Sequence, residues 1–257
     1  MNILFIADVV GNAGVSLLQK RLPELKREFN IDFTVVNAEN ASAGNGLTKS
    51  DADLLFASGA DVLTGGNHSF DRRDEEIYAS PFILRPLNWN TETGSGSLIY
   101  DAIKFKIGVI SAVGTVNMGG KSDNPFISVK NEVLKLKKET DLVLVDFHAE
   151  ATSEKKAMGF WLDGLATAVL GTHIHCQTND AQILPNGTAF ITDAGFTGAY
   201  RSVLGVNPLE VINRFAFDEK NKLIQLDLPP YILNGVVITV LQNKVTGINA
   251  VNRIYNK

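Results

Sequence analysis

Cysteine is nearly absent from this chain. A single Cys176 among 257 residues leaves no intrachain disulfide to form, which fits a reducing compartment. No apolar run approaches the roughly 20 residues that a membrane helix needs. Residues 1–12 carry no basic leader, and the opening apolar run, 3–7, stops at Asp8, too short for a signal-peptide core. The expectation is a cytoplasmic protein with no membrane partner. Positive charge is not in excess either: 24 Lys and Arg against 28 Asp and Glu give a formal net charge of -4. The long-range basic field that gathers polymeric nucleic acid is therefore missing, and no stable nucleic-acid complex is expected. Repeats, low-complexity segments and linkers are lacking too. One domain over residues 1–257 is the simplest organisation, and α/β folds of this length often form one.

What remains is an ordinary globular composition, 45% hydrophobic and 20% charged, unlike that of a disordered chain. Short apolar runs alternate with helix-period segments. Residues 3–7, 33–36, 61–64, 142–147, 168–171 and 189–192 read as strands, and 97–100 with 105–110 as a strand pair. Leu18, Leu22, Leu25 and Phe29 recur at steps of four, three and four, the stripe of an amphipathic helix. Residues 51–58 are a short helix candidate. Phe126, Val129, Val133 and Leu136 mark another helix, and Ala157, Phe160, Trp161 and Leu165 a further one. After about residue 205 the pattern changes: 211–217, 236–241 and 245–251 read as strands with no long helix between them, the last two joined by a turn at 242–244. Parallel-type βα units with an antiparallel tail predict stacked mixed sheets with helices outside.

The polar residues of interest follow the apolar strands. Asp8 ends the first and Asn37-Ala38-Glu39-Asn40 the second. Gly65-Gly66-Asn67-His68 ends the third, His148 follows 142–147, and Thr172-His173-Ile174-His175 follows 168–171. Ligands bind at the carboxyl ends of strands in open α/β sheets, so five strand ends are expected to converge on one edge. The chain has four histidines, and all four fall in these segments. Imidazole with carboxylate suits iron, manganese or zinc. In a loop just past a strand, the two imidazoles of His173 and His175 can reach two metals about 3.5–4 Å apart.

Taken in order, Asp8, Glu39-Asn40, Gly66-Asn67-His68, His148 and Gly171-Thr172-His173-Ile174-His175 resemble the calcineurin-like metallophosphoesterases. Their pattern runs Asp-x-His, Gly-Asp, Gly-Asn-His, His and Gly-His-x-His. The sequence departs from it twice. Val10 stands where that superfamily usually has a metal-binding histidine, and the bridging carboxylate position reads Ala38-Glu39-Asn40 in place of Gly-Asp. Both departures resemble the YmdB-like branch, a bacterial group of 2′,3′-cyclic-nucleotide phosphodiesterases. So do the run from Asp146 to Lys155 and the segment Thr192-Asp193-Ala194-Gly195.

The resemblance implies a four-layer α/β/β/α sandwich of two mixed β-sheets flanked by helices. It implies two divalent transition-metal ions, iron foremost and manganese or zinc otherwise. Asp8, Glu39, Asn40 and His175 would hold the first, and Glu39, Asn67, His148 and His173 the second, with Glu39 bridging. Asn40 either offsets the ligand lost at Val10 or orients Glu39. Water activated between the metals would attack a phosphodiester in line, a small 2′,3′-cyclic nucleotide by the family's precedent. His68 would be the catalytic residue that donates a proton to, or hydrogen-bonds, the departing oxygen. A homo-oligomer is compatible with the branch. A phosphomonoesterase or nuclease on the same metals, or a regulatory nucleotide-binding protein on a decayed hydrolase fold, are the rival readings.

Other residues have two readings each. Gly65 and Gly66 could let backbone approach the phosphate. Cys176 beside His175 reads as a small buried hydrophobe rather than a ligand. Arg72 and Arg73 are either a solvated helix start or a substrate contact. Asp193, Thr197, Tyr200 and Arg201 could line the pocket or a subunit contact.

Overall fold

The computed structural model describes residues 1–72, 75–119, 122–220 and 222–256. Arg73 lies outside the described residues. In chain order the first elements are β1 (Asn2–Ile6), α1 (Gly11–Glu28), β2 (Phe33–Asn37), α2 (Lys49–Ser58), β3 (Val62–Thr64), β4 (Ile83–Leu84), β5 (Ser97–Ala102) and β6 (Phe105–Val113). They are followed by α3 (Pro125–Leu136), β7 (Val143–His148), α4 (Thr152–Trp161), β8 (Ala168–Thr172), β9 (Gln182–Ile183), β10 (Ala189–Ile191), β11 (Thr197–Ala199), α5 (Pro208–Phe217), β12 (Tyr231–Leu241) and β13 (Lys244–Tyr255).

Two mixed sheets result. In the seven-stranded sheet, β1 to β4 run parallel, and β12 pairs antiparallel with β1, β11 and β13. In the six-stranded sheet, β6, β7, β8 and β10 are parallel, with β5 and β9 antiparallel at the edges. Alternation along β1 explains the layering, because successive strand residues face opposite sides. Ile3 and Phe5 enter the core between the sheets with Phe33, Val109, Leu144 and Leu170. Leu4 and Ile6 face Leu18, Leu22 and Leu25 of α1 and Leu55 of α2. On the far side, Val143, Val145 and Phe147 pack against Val129 and Val133 of α3 and Met158 of α4. The expected four layers are present. With both faces covered, the parallel strands read as unbroken apolar runs.

Residues 211–217 are not a strand. They belong to α5, whose start is set by Asn207, which accepts from Leu209 N at 3.1 Å, and by Pro208. It ends at Asp218 in the left-handed region (φ 54°). Asparagine followed by proline is a helix-start signal, and here it outweighs the β-branched and aromatic content that suggests a strand. None of its residues is buried, so the core does not impose the helix. The 242–244 turn is as expected, with Gln242 and Asn243 both at positive φ between β12 and β13.

Candidate functional site

The five expected strand ends do meet, although they come from both sheets. β1, β2 and β3 deliver Asp8, Glu39 and Asn67 from one side, and β7 and β8 deliver His148 and His173 from the other. Asp8, Glu39 and His148 are buried. The centre of the arrangement is His148 Nε2. It lies 3.0 Å from Glu39 Oε1, 3.1 Å from Asn67 Oδ1 and 3.0 Å from His173 Nδ1. Glu39, His148 and His173 each offer a ligand atom, all within 4.8 Å of one another. Asp8 Oδ2 accepts from His173 N at 2.9 Å, while Asp8 Oδ1 is buried without a hydrogen-bond partner. His175 Nδ1 is likewise buried without one, its ring stacked on Phe196 at 5.6 Å.

A single proton on His148 Nε2 can serve only part of this cluster, whereas a cation can draw lone pairs from all four atoms at once. A buried carboxylate oxygen with no donor is costly, and an ion would remove that cost. The residues therefore fit a bound metal ion.

The supporting contacts set which nitrogens face inward. His148 Nδ1 lies 2.9 Å from Thr172 Oγ1, and that hydroxyl donates to Asp146 Oδ1 at 2.7 Å. Asp146 Oδ2 accepts from Asn37 Nδ2 and Thr64 Oγ1. Thr172 has spent its proton on Asp146, so it accepts from His148 Nδ1–H, which turns Nε2 toward the site. On His173, Nε2 lies 3.0 Å from Glu150 Oε2, which leaves Nδ1 for the cluster. Carboxylate support of this kind orients histidine ligands. Asp193 holds the loop that carries the histidines: Oδ2 accepts from Ile174 N and Oδ1 from Gly195 N. The buried Lys155 pairs with it at 2.6 Å.

Electrostatics follow from burial and charge. Burial opposes ionisation of Glu39, yet the His148 charge and hydrogen bond outweigh it, and the carboxyl falls to about 2. Burial likewise works against a charged His148, but Glu39, Asp8 and Asp146 raise it to about 9. Burial, with the His148 charge beside it, lowers His173 to about 3. Burial is also the largest cause of the fall of His175 to about 4. Burial raises Asp8 well above the usual carboxylate range.

An open cleft of about 450 Å³ exposes one side of the cluster. Glu39, Asn40, His68, Glu150, His173 and His175 line it, together with aliphatic residues. His68 sits at its edge, its Nδ1 held by Asp71 Oδ2 at 2.6 Å. Asn40 Nδ2 donates to Glu39 Oε1 at 2.9 Å.

Several expectations change. A Cβ on Gly66 would fall 2.2 Å from Glu39 Oε2 and 2.5 Å from His148 Nε2, so this glycine makes room for the cluster itself. Cys176 is exposed rather than buried, because the loop turns outward after His175, whose φ is 58°. Arg72 does not line the cleft. Its guanidinium ties down the carbonyls of Ala43 and Asn45. Asp193, Thr197, Tyr200 and Arg201 do not line it either. Asp193 and Thr197 are buried beneath the site. The roles of Asp146, Thr172, Glu150 and Lys155 were not singled out by sequence reasoning. One signal was available for Asp146, a charged residue inside a run otherwise apolar enough to be a buried strand.

A family model described as YmdB-like protein matches residues 4–254. The chain is 40% identical over 222 residues to the 2′,3′-cyclic-nucleotide 2′-phosphodiesterase of Bacillus subtilis (strain 168), covering 84% of this chain and 82% of that protein. A crystal structure of a novel phosphatase from Mycoplasma pneumoniae superposes with a TM-score of 0.93 at 34% identity, covering 100% of this chain and 94% of that one. The calcineurin-like phosphoesterase YfkN of Bacillus subtilis shares the fold, with a TM-score of 0.58 at 11% identity, covering 100% and 90%.

Proposed function

Since the chain belongs to the YmdB-like family of phosphoesterases, we propose that it hydrolyses small phosphodiesters, 2′,3′-cyclic nucleotides in particular, at a two-metal site. The observation that carries this reading is the convergence of Glu39, Asn67 and His173 on His148 Nε2 beside the buried Asp8 Oδ1, which accepts no hydrogen bond. The cyclic-nucleotide substrate is that of the Bacillus subtilis relative.

Asp8, Glu39, Asn40 and His175 would hold one ion, and Glu39, Asn67, His148 and His173 the other. Bound there, a divalent pair supplies Lewis acidity: it lowers the pKa of water and neutralises charge on the phosphate. Iron, or else manganese or zinc, suits the mixture of carboxylate, amide and imidazole. Asn40 orients Glu39 through its Nδ2 and keeps its carbonyl oxygen for the first ion. Glu39 would serve both sets, since Asn40 Nδ2 and His148 Nε2 both meet its Oε1, at 2.9 and 3.0 Å. Thr172 and Glu150 hold the two imidazoles in the tautomers that offer lone pairs inward. His68, oriented by Asp71, gives a proton to the oxygen that leaves phosphorus.

The lone cysteine supports a cytoplasmic enzyme, and no helix among the described residues is long and apolar enough to cross a membrane. One domain over residues 1–257 accords with cores that share the same two sheets. The exposed Leu209, Ile212, Phe215 and Phe217 of α5 are suited to contact between copies of the chain.

The test compares turnover of a 2′,3′-cyclic nucleotide, a bis-aryl phosphate, a mono-aryl phosphate and short RNA, each with and without chelator. Chelator-sensitive opening of the cyclic nucleotide is expected. Preference for the monoester, or nucleotide binding without turnover under any divalent metal, overturns the reading.

A further inference from the structure

The cleft has a second wall that the chemistry above leaves unused. Leu204, Val206 and Leu223 line the same space as His68, His173 and His175. Their backbone is firmly held. Val203 and Val206 exchange both backbone hydrogen bonds, each at 2.9 Å, and Leu226 N donates to Gly205 O at 2.7 Å. Val206 also bridges to Gln225. Leu204 and Gly205 are thus the two central residues of a tight turn, with φ of 53° and 87°. A two-residue turn with both central residues left-handed belongs to the type I′ class, which asparagine-glycine occupies by preference. Gly205 meets that demand, and it also packs closely: a Cβ there would fall 2.3 Å from Val10 Cγ1.

Leu204 does not meet it. A bulky apolar residue in the left-handed region is strained. It gains little by burial, since half of its surface stays exposed (50%). Neither turn chemistry nor the core selects leucine here. Backbone strain maintained at a cleft-facing position points to function. Leu204 and His175 line the same cleft, so the side chain shares that space with a proposed ligand.

Resting on the cyclic-nucleotide reading above, we propose that Leu204, flanked by Val206 and Leu223, is the surface on which the substrate's nucleobase packs. Its phosphate lies on the side of His68 and Asn40. An aliphatic wall registers that a base is present rather than which base it is, because every base has an apolar face. Purine and pyrimidine substrates therefore gain alike.

The experiment uses full-length protein loaded with metal, and the variants Leu204→Asn and Leu204→Gly, both of which suit the turn. Substrates are adenosine and uridine 2′,3′-cyclic phosphates and a base-free probe, methyl riboside 2,3-cyclic phosphate. In both variants the kcat/KM advantage of the nucleotides over the base-free probe is expected to shrink by about tenfold, the scale of one aliphatic contact. The loss should appear in KM, for both bases. The melting temperature should stay level or rise by about 2–4 °C as strain is relieved, which separates lost binding from lost folding. An unchanged advantage in the stabilised variants overturns the proposal. So does a change confined to sedimentation, which would assign Leu204 to a contact between proteins. Wild-type protein that cleaves a bis-aryl phosphate but neither nucleotide overturns the substrate reading itself, before any variant is made.

Discussion

The imidazoles of His148 and His173 meet nitrogen to nitrogen, Nε2 to Nδ1 at 3.0 Å, with the ring planes at 74°. Two neutral imidazoles with lone pairs so opposed would repel. A proton or a cation between them turns the contact into an attraction. The raised His148, at about 9, and the lowered His173, at about 3, describe the proton's solution: His148 carries it and His173 accepts.

Metal and proton therefore compete for one position. Near pH 7, loading the metal-free protein should release a proton from His148, because a ligand must present a lone pair. Calorimetric titration in buffers of different ionisation enthalpy measures it directly. A binding heat independent of the buffer would refute the exchange.

The same pair gives metal-free protein a pH signature. His148 is raised above its unfolded value of 6.5, so its contribution is complete below about 6.5 and is lost as pH rises through about 9. Glu39 is lowered from 4.5 to about 2, so its contribution is present above about 4.5 and is lost as pH falls through about 2. Asp8, raised by burial, has a folded form that prefers the proton, so its own contribution is lost as pH rises above the unfolded value of 3.8. Both shifts of the His148–Glu39 pair describe one contact and are not added. The expected alkaline loss is about 3 kcal/mol. Thermal melts from pH 5 to 10 should show it in chelator and not with saturating metal.

His68→Ala should keep its metal and lose turnover by about 10²–10⁴-fold, the range of general acid catalysis. The ring lies at the edge of the cleft, bonded through Nδ1 to Asp71. Metal analysis beside kinetics decides the point. Loss of metal in this variant would make His68 a structural support of the site instead of the proton donor.

Thr172→Val removes the hydroxyl between His148 Nδ1 and Asp146 Oδ1 while keeping the shape of the side chain. It leaves a buried N–H and a buried carboxylate oxygen without their partner, and losing the group that orients a metal-binding histidine weakens metal binding by about 10–100-fold. Competition with a chromogenic chelator gives the ratio. Unaltered affinity would show that packing alone orients His148.

Lys155→Met leaves Asp193 buried without its cation, at a cost of about 3–5 kcal/mol. Because Asp193 also holds Ile174 N, metal affinity should fall with stability. The double variant Lys155→Met with Asp193→Asn should recover much of the stability, since both charges are gone. A double variant no more stable than the single one would contradict this account of the pair.

The chain's local order determined much of this protein. Apolar runs of strand length and the stripe of Leu18, Leu22 and Leu25 set the elements, because both depend on neighbours a few residues away. The placing of all four histidines and of Asp8 and Glu39 after strands was legible for the same reason. Residues 211–217 show the limit of such reading: where no face is buried, composition suggests a strand and the Asn207-Pro208 start makes a helix. Tertiary structure alone decided which atoms meet. Asn67 and His148 are separated by 81 residues, and Asp8 and His173 by 165. Contacts across such separations depend on how two sheets pack, not on any local pattern. That packing chose the inward nitrogens of His148 and His173. It also placed Asp146, Thr172 and Lys155 beneath the site and turned Leu204 into the cleft.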